Sequence, residues 1–131
     1  IFLRDTRKSV EAQMRYIRHM GLNSIRSEGF WGKDESLFEL CDEYGVLVMI
    51  GWNCIWEWEE YLYKSCHEKY GGAVGDEDIK LLSESWKDQM LWLRNHPSIY
   101  LWMLGSDKLP APKLEMKYQE LFKKYDPSRP Y

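Results

Sequence analysis

The sequence predicts an α/β chain in which three parallel strands alternate with four helices. Three observations predict it. Helical and strand periodicities alternate along the whole chain. The best-defined strand runs, Val46-Leu47-Val48-Met49-Ile50 and Ile99-Tyr100-Leu101-Trp102-Met103, are apolar without alternation, as strands covered on both faces are. Connections from helix to strand are minimal, whereas those from strand to helix are long. Parallel strands joined by right-handed crossovers build either an open doubly wound sheet or part of an eight-stranded (β/α)8 barrel. A complete barrel takes roughly 250 residues, so a chain of 131 residues with three strands is about half of one.

Taken in order, the first helix spans Thr6 to Met20, with Val10, Met14, Ile17 and Met20 at three- and four-residue spacing. Thr6 or Asp5 can cap its start, and Gly21 stands where a left-handed residue ends a helix. The first strand falls at 23–28. Phe30 to Lys33 reads as a loop. Asp34 can cap a second helix, Glu35 to Tyr44, which Gly45 ends. The second strand falls at 46–51. A stretch rich in aromatics and acids runs from Gly51 to Gly75. The third helix, from about Glu77 to Asn95, carries Ile79, Leu82, Trp86, Met90 and Leu93 on one stripe, and His96-Pro97 stops it. The third strand falls at 98–105. After the loop Gly105 to Pro112, a fourth helix runs from Lys113 to Tyr125, and Asp126-Pro127-Ser128-Arg129-Pro130 forms a terminal turn.

Composition narrows the function. Eighteen Lys and Arg against 21 Asp and Glu give a net charge of −3, so there is no basic excess for a phosphate backbone and nucleic acid is not the expected partner. No apolar run approaches the roughly 20 residues that span a bilayer. Cys41, Cys54 and Cys66 are irregularly spaced and make neither a disulfide framework nor a zinc pattern, and no metal or other cofactor is expected. Cys54 and His67 share the long loop, but one Cys and one His do not hold zinc. Seven Trp, nine Tyr and four Phe bring the aromatic share to 15%, which suits a large core or a surface that stacks on flat ligands. The chain opens on Ile1 without a secretory leader, and we read it as an excised segment. No dinucleotide-binding, Walker, nucleophile-elbow or zinc-protease motif is present.

The loop lengths locate the chemistry. In both architectures ligands bind at the carboxyl ends of the strands, and the long loops fall there. That nominates Glu28, Trp52, Asn53, Glu57, Glu59, Glu60 and Asp107. Asp107, after the third strand and near bulky residues such as Trp102, is either a turn residue or a carboxyl held protonated by desolvation, able to act as a general acid. Glu28 is either an anionic group facing a sugar hydroxyl or substrate amine, or a loop acid paired with Arg26. Arg26 itself reads as structural, a strand cation in need of a carboxylate. Trp52, Trp56 and Trp58 alternate with Glu57, Glu59 and Glu60, as sugar binding wants: rings for C–H faces, acids for hydroxyls. At least one of these Trp residues reads as packing. His96 reads as a helix-end residue bonding the last carbonyls.

Three segments carry a family resemblance. Met20-Gly21-Leu22-Asn23-Ser24-Ile25-Arg26, then Leu40-Cys41-Asp42-Glu43-Tyr44-Gly45-Val46-Leu47-Val48, then Arg94-Asn95-His96-Pro97-Ser98-Ile99 resemble the catalytic TIM barrel of glycoside hydrolase family 2, in its order and spacing. The resemblance makes residues 1–131 a single segment of that catalytic domain, with its strands as barrel strands two to four. Most members carry Asn-Glu at the end of barrel strand four; here Gly105-Ser106-Asp107 stands instead. Ser27-Glu28-Gly29 replaces the usual Ser-His. Both departures, with Gly51-Trp52-Asn53-Cys54, resemble the exo-β-D-glucosaminidase branch. That resemblance implies Asp107 as acid/base and Glu28 as a ligand of the substrate amine, with the nucleophile a Glu beyond Tyr131.

The expected whole is therefore a retaining exo-β-glycosidase acting on a carbohydrate, inactive as this segment alone and completed by the rest of the barrel and accessory β domains. A catalytically silent carbohydrate-binding relative, a β-galactosidase- or β-mannosidase-type specificity, and a small doubly wound interaction domain are the alternatives. Compartment is not fixed by the residues; a secreted or periplasmic parent is compatible with them. Unpaired sheet edges predict that the isolated segment dimerises, swaps elements or aggregates.

Overall fold

The computed structural model describes residues 5–28, 34–51, 73–105 and 109–131. Among them the chain runs α1 (Arg7–His19), β1 (Ser24–Ser27), α2 (Ser36–Tyr44), β2 (Leu47–Gly51), α3 (Asp76–Leu93), β3 (Ile99–Met103) and α4 (Pro112–Tyr125). The alternation expected from the sequence is present, with ends shifted by one or two residues.

Local chemistry sets the ends. Thr6 caps α1 in a reciprocal arrangement: Ser9 N donates to Thr6 Oγ1 at 3.2 Å, and Thr6 N donates to Ser9 Oγ at 3.0 Å. Arg18 and His19 in the last turn face the negative end of the helix dipole. Asp34 supplies the expected capping bond from one residue before the N-cap. Glu35 holds the N-cap position without a side-chain bond, and Asp34 Oδ1 accepts from Ser36 N at 3.0 Å. Gly45 ends α2 at φ 64°, left-handed backbone that a side chain would strain. The next residue, Val46, spends its N–H on Cys41 O at 2.9 Å, so β2 begins at Leu47. Three acids open α3 and two lysines close α4, each on the favourable dipole end.

The sheet is parallel, in the order β1-β2-β3. Ile25 pairs with Val48, Ser27 with Ile50, Val48 with Ile99, and Ile50 with Trp102. Between Val48 and Met49 the register slips, because Tyr100 enters β3 as an extra residue. The slip matters because strand side chains alternate: without it Trp102 would face opposite to Ile99. With it, Val48, Ile50, Ile99 and Trp102 share one fully buried face. The other face carries Leu47, which is 40% exposed, together with Met49, Leu101 and Met103. Tyr100 reaches across it, its hydroxyl 3.4 Å from Ser24 Oγ.

The core lies between the buried sheet face and the helices. Trp86 of α3 is its centre: its ring meets Trp102 edge-on at 5.7 Å, Tyr118 at 5.8 Å and Phe122 edge-on at 6.0 Å, all of them buried. Edge-to-face contacts of this kind add to the area buried. Between α1 and α2, Met14 and Cys41 are buried side by side and Arg7 bridges Glu39 and Glu43 on the surface. Exposed bridges of that sort contribute little; the apolar contact holds the pair.

Trp86→Ala should cost about 3–5 kcal/mol, the range for emptying a large aromatic from a packed site. Leu81→Ala, on the exposed side of the same helix at 66% exposure, should stay within about 0.5 kcal/mol. Denaturant unfolding of the two variants beside the parent measures the difference.

Candidate active site

Parallel pairing gathers the carboxyl ends of the three strands. Ser27 lies beside Ile50 and Gly51 beside Met103, so Glu28, Gly51 and the Leu104-Gly105 step stand at one end of the sheet. Glu28 is exposed there, directly after the buried Ser27. Trp52, Asn53, Glu57 and Asp107 lie outside the described residues, as do Glu59, Glu60, Trp56, Trp58, Cys54 and His67. In the chain, Trp52 directly follows Gly51 and Asp107 is two residues after Gly105.

The backbones of β1 and β2 crowd at this end. A Cβ on Gly51 would sit 2.7 Å from the Glu28 carbonyl oxygen and 3.0 Å from that of Ser27. From the helix side, Gln89 Nε2 donates to the Gly51 carbonyl at 3.4 Å. Arg26, read as a structural cation inside the sheet, is exposed on the face opposite the helices. Trp102, expected beside the strand-end acid, turns into the helix layer: its Nε1 donates to Asp126 Oδ2 at 2.7 Å. The slip at Tyr100 accounts for that direction.

The amino end of the sheet holds a different set of polar groups. His96 bonds the end of α3 as expected, its backbone N donating to Leu93 O at 3.0 Å, while its side chain turns to two acids. Nδ1 lies 2.7 Å from Asp42 Oδ2 and Nε2 lies 3.3 Å from Glu35 Oε2. Asp42 Oδ1 accepts from Ser98 N at 2.8 Å, and Glu35 also accepts from Trp92 Nε1. Burial pushes the Asp42 carboxyl up, but the bonds from Ser98 and His96 outweigh it and hold the group below the ordinary range. This cluster ties α2 to the turn before β3. Acids and a His in separate segments gave no sequence signal of the meeting.

A second polar brace closes the chain onto β3. Asp126, 4% exposed, accepts from Trp102, from Arg129 Nη1 at 2.7 Å and from Ser128 Oγ at 2.9 Å. Arg129 also donates to the carbonyls of Ile99 and His96, at 2.5 and 3.1 Å. Trp102 N donates to Pro130 O at 3.1 Å, so the chain after α4 returns along β3. Burial pushes the Asp126 carboxyl up; hydrogen bonds from Trp102, Arg129 and Ser128 prevail and keep it low. Burial also pushes the Cys41 thiol up to about 12, so it stays protonated and packs as an apolar group. Among the described residues no three His, Cys, Asp or Glu side chains gather as a metal site, and no helix is long and apolar enough to cross a membrane.

Residues 6–131 match the family described as glycosyl hydrolases family 2, TIM barrel domain. The exo-β-D-glucosaminidase of Streptomyces avermitilis is 36% identical over 129 residues, which is 95% of this chain and 13% of that protein. The exo-β-D-glucosaminidase of Amycolatopsis orientalis is 32% identical over 126 residues, 96% of this chain and 12% of that protein. The crystal structure of Amycolatopsis orientalis exo-chitosanase CsxA superposes with a TM-score of 0.80 at 29% identity, over 98% of this chain and 15% of that one. The chain thus spans about an eighth of the length of the curated relatives it matches.

The Asp126 brace has a pH signature. A carboxyl held low in the folded state stabilises the fold above its unfolded pKa, about 3.9, and that contribution is lost as pH falls through the lower folded value. Asp126→Asn should cost roughly 3 kcal/mol near neutrality, since Arg129 loses its buried partner. The gap in thermal midpoint between parent and variant should narrow below about pH 4. A gap that stays constant down to acid pH contradicts the assignment.

Proposed function

The chain belongs to glycosyl hydrolases family 2 as part of its TIM-barrel domain, and from that premise we propose that the intact protein is a retaining exo-β-glycosidase acting on terminal β-D-glucosaminides. The observation that carries the reading is Glu28: an exposed carboxylate at the carboxyl end of β1, beside the ends of β2 and β3, in a chain whose relatives include exo-β-D-glucosaminidases. Asp107 is the acid/base in this reading, and the nucleophile is a Glu elsewhere in the protein. Trp52, Asn53 and Glu57, which follow β2 in the chain, line the sugar subsite.

The chemistry follows from two carboxyl groups about 5–5.5 Å apart. The nucleophilic carboxylate attacks the anomeric carbon while protonated Asp107 gives its proton to the glycosidic oxygen. The aglycone leaves as an alcohol and a covalent glycosyl-enzyme forms. Asp107, now ionised, takes a proton from water, and the water oxygen displaces the enzyme carboxylate with a second inversion. The anomeric configuration is retained. Glu28 takes no part in bond making. It faces the 2-amino group, which is largely cationic at neutral pH, with a charge-assisted contact.

Asp107→Ala in the full-length protein should slow cleavage of a substrate with a poor leaving group far more than one with an activated leaving group, because only the poor one needs the proton. Azide should restore turnover of the activated substrate by replacing base-activated water. Equal slowing of both substrates, with no azide effect, refutes the role.

Glu28→Gln keeps the shape and removes the charge. A charge-assisted bond is worth about 1.5–3 kcal/mol, so the parent should prefer an aryl glucosaminide over the matched glucoside by roughly tenfold to a hundredfold in kcat/KM. The variant should lose most of that preference. A parent that favours the neutral sugar leaves a family 2 glycosidase of other specificity.

A further inference from the structure

Gly51 is not a glycine for the usual conformational reason. The described glycines with positive φ are Gly21 and Gly45, so any residue could adopt the Gly51 backbone. What the position lacks is room. The 2.7 Å approach to the Glu28 carbonyl is far inside ordinary contact, which begins at 3.4 Å, so a methyl group would drive the Ser27-Glu28 backbone and β2 apart by about 0.7 Å (3.4 − 2.7). The same residue is held from behind by the half-buried Gln89 of α3, whose amide donates to its carbonyl. The main chain carrying Glu28 is therefore seated against Gly51, and Gly51 is tied to the helix layer.

We propose that Gly51 and Gln89 are positioning residues for amino-sugar selectivity: the bare α-carbon lets β1 close on β2 far enough to present Glu28 to the 2-amino group, and Gln89 fixes the depth of that closure. The inference rests on the reading of Glu28 as the amine ligand. Charge-assisted hydrogen bonds are short, with N···O near 2.7–2.9 Å, and a displacement of several tenths of an ångström degrades them. A neutral 2-hydroxyl makes a weaker contact and has less to lose. Crowding at Gly51 should thus act on the ratio between the two sugars, whereas a purely structural defect lowers both together.

The test uses the full-length protein and kcat/KM for matched aryl β-D-glucosaminide and β-D-glucoside. Gly51→Ala and Gln89→Met are each made in the parent and in a Glu28→Gln background. In the parent, Gly51→Ala should lower the amino-to-neutral ratio roughly tenfold, on the scale of sub-ångström misplacement. Gln89→Met, which removes one neutral hydrogen bond, should lower it about twofold to fivefold. In the Glu28→Gln background neither should change the ratio further. A ratio unmoved by both substitutions overturns the proposal, as does an equal fall in both backgrounds. If Gly51→Ala fails to fold, Gln89→Met decides alone by the same two criteria. A parent without amino-sugar preference, or a Glu28→Gln variant that keeps it, marks failure of the Glu28 reading itself, and the inference falls with it.

Discussion

Trp102 is the residue on which the rest of the arrangement depends. Its ring is fully buried against Trp86 of α3, its Nε1 is bonded to the buried Asp126, and its backbone N–H is bonded to Pro130. One side chain thus joins the third strand, the third helix and the chain returning from the fourth. A buried indole N–H without an acceptor is costly, and a buried carboxylate without donors costs more. Trp102, Ser128 and Arg129 satisfy Asp126 together, and Arg129 also serves two carbonyls at the amino end of β3. The set stands or falls as a unit, as buried polar networks do.

The two ends of the sheet divide the work. At the amino end the connections are short and their polar groups are spent on one another: His96 between Asp42 and Glu35, Ser98 on Asp42. Such a cluster locks helix to strand and leaves little for a ligand. At the carboxyl end an exposed Glu28 stands over a tight β1–β2 contact, and the long connections depart from there. That asymmetry is the common plan of βα barrels, with stability at one end and chemistry at the other. It suits membership of family 2, whose barrel domain the chain matches almost throughout.

The sheet face opposite the helices fits the same plan. Leu47, Met49, Leu101 and Met103 point away from the helices in register, and Tyr100 crosses the face to Ser24. In a closed barrel such side chains stack in the interior with those of the other strands. The chain spans about an eighth of its relatives' length, and in the proposed reading the remaining strands supply that packing.

The sequence by itself determined the element order, the parallel class and which residues gather at the carboxyl end of the sheet. These follow from short-range rules: apolar spacing of three and four in α1 and α3, unbroken apolar runs in β2 and β3, and glycines at Gly21 and Gly45 that only left-handed helix ends require. The place of Glu28 at the carboxyl end was legible because it directly follows a strand. The direction of Trp102 was not, because one extra residue at Tyr100 reverses every later side chain and strand periodicity carries no mark of it. Nor were the partners of His96 and Asp126, or the close backbone approach at Gly51. A contact across 54 residues, or a backbone approach of 2.7 Å between neighbouring strands, exists only once the sheet has formed. The tertiary structure decided these because each depends on register and packing depth, quantities that no local stretch of chain encodes.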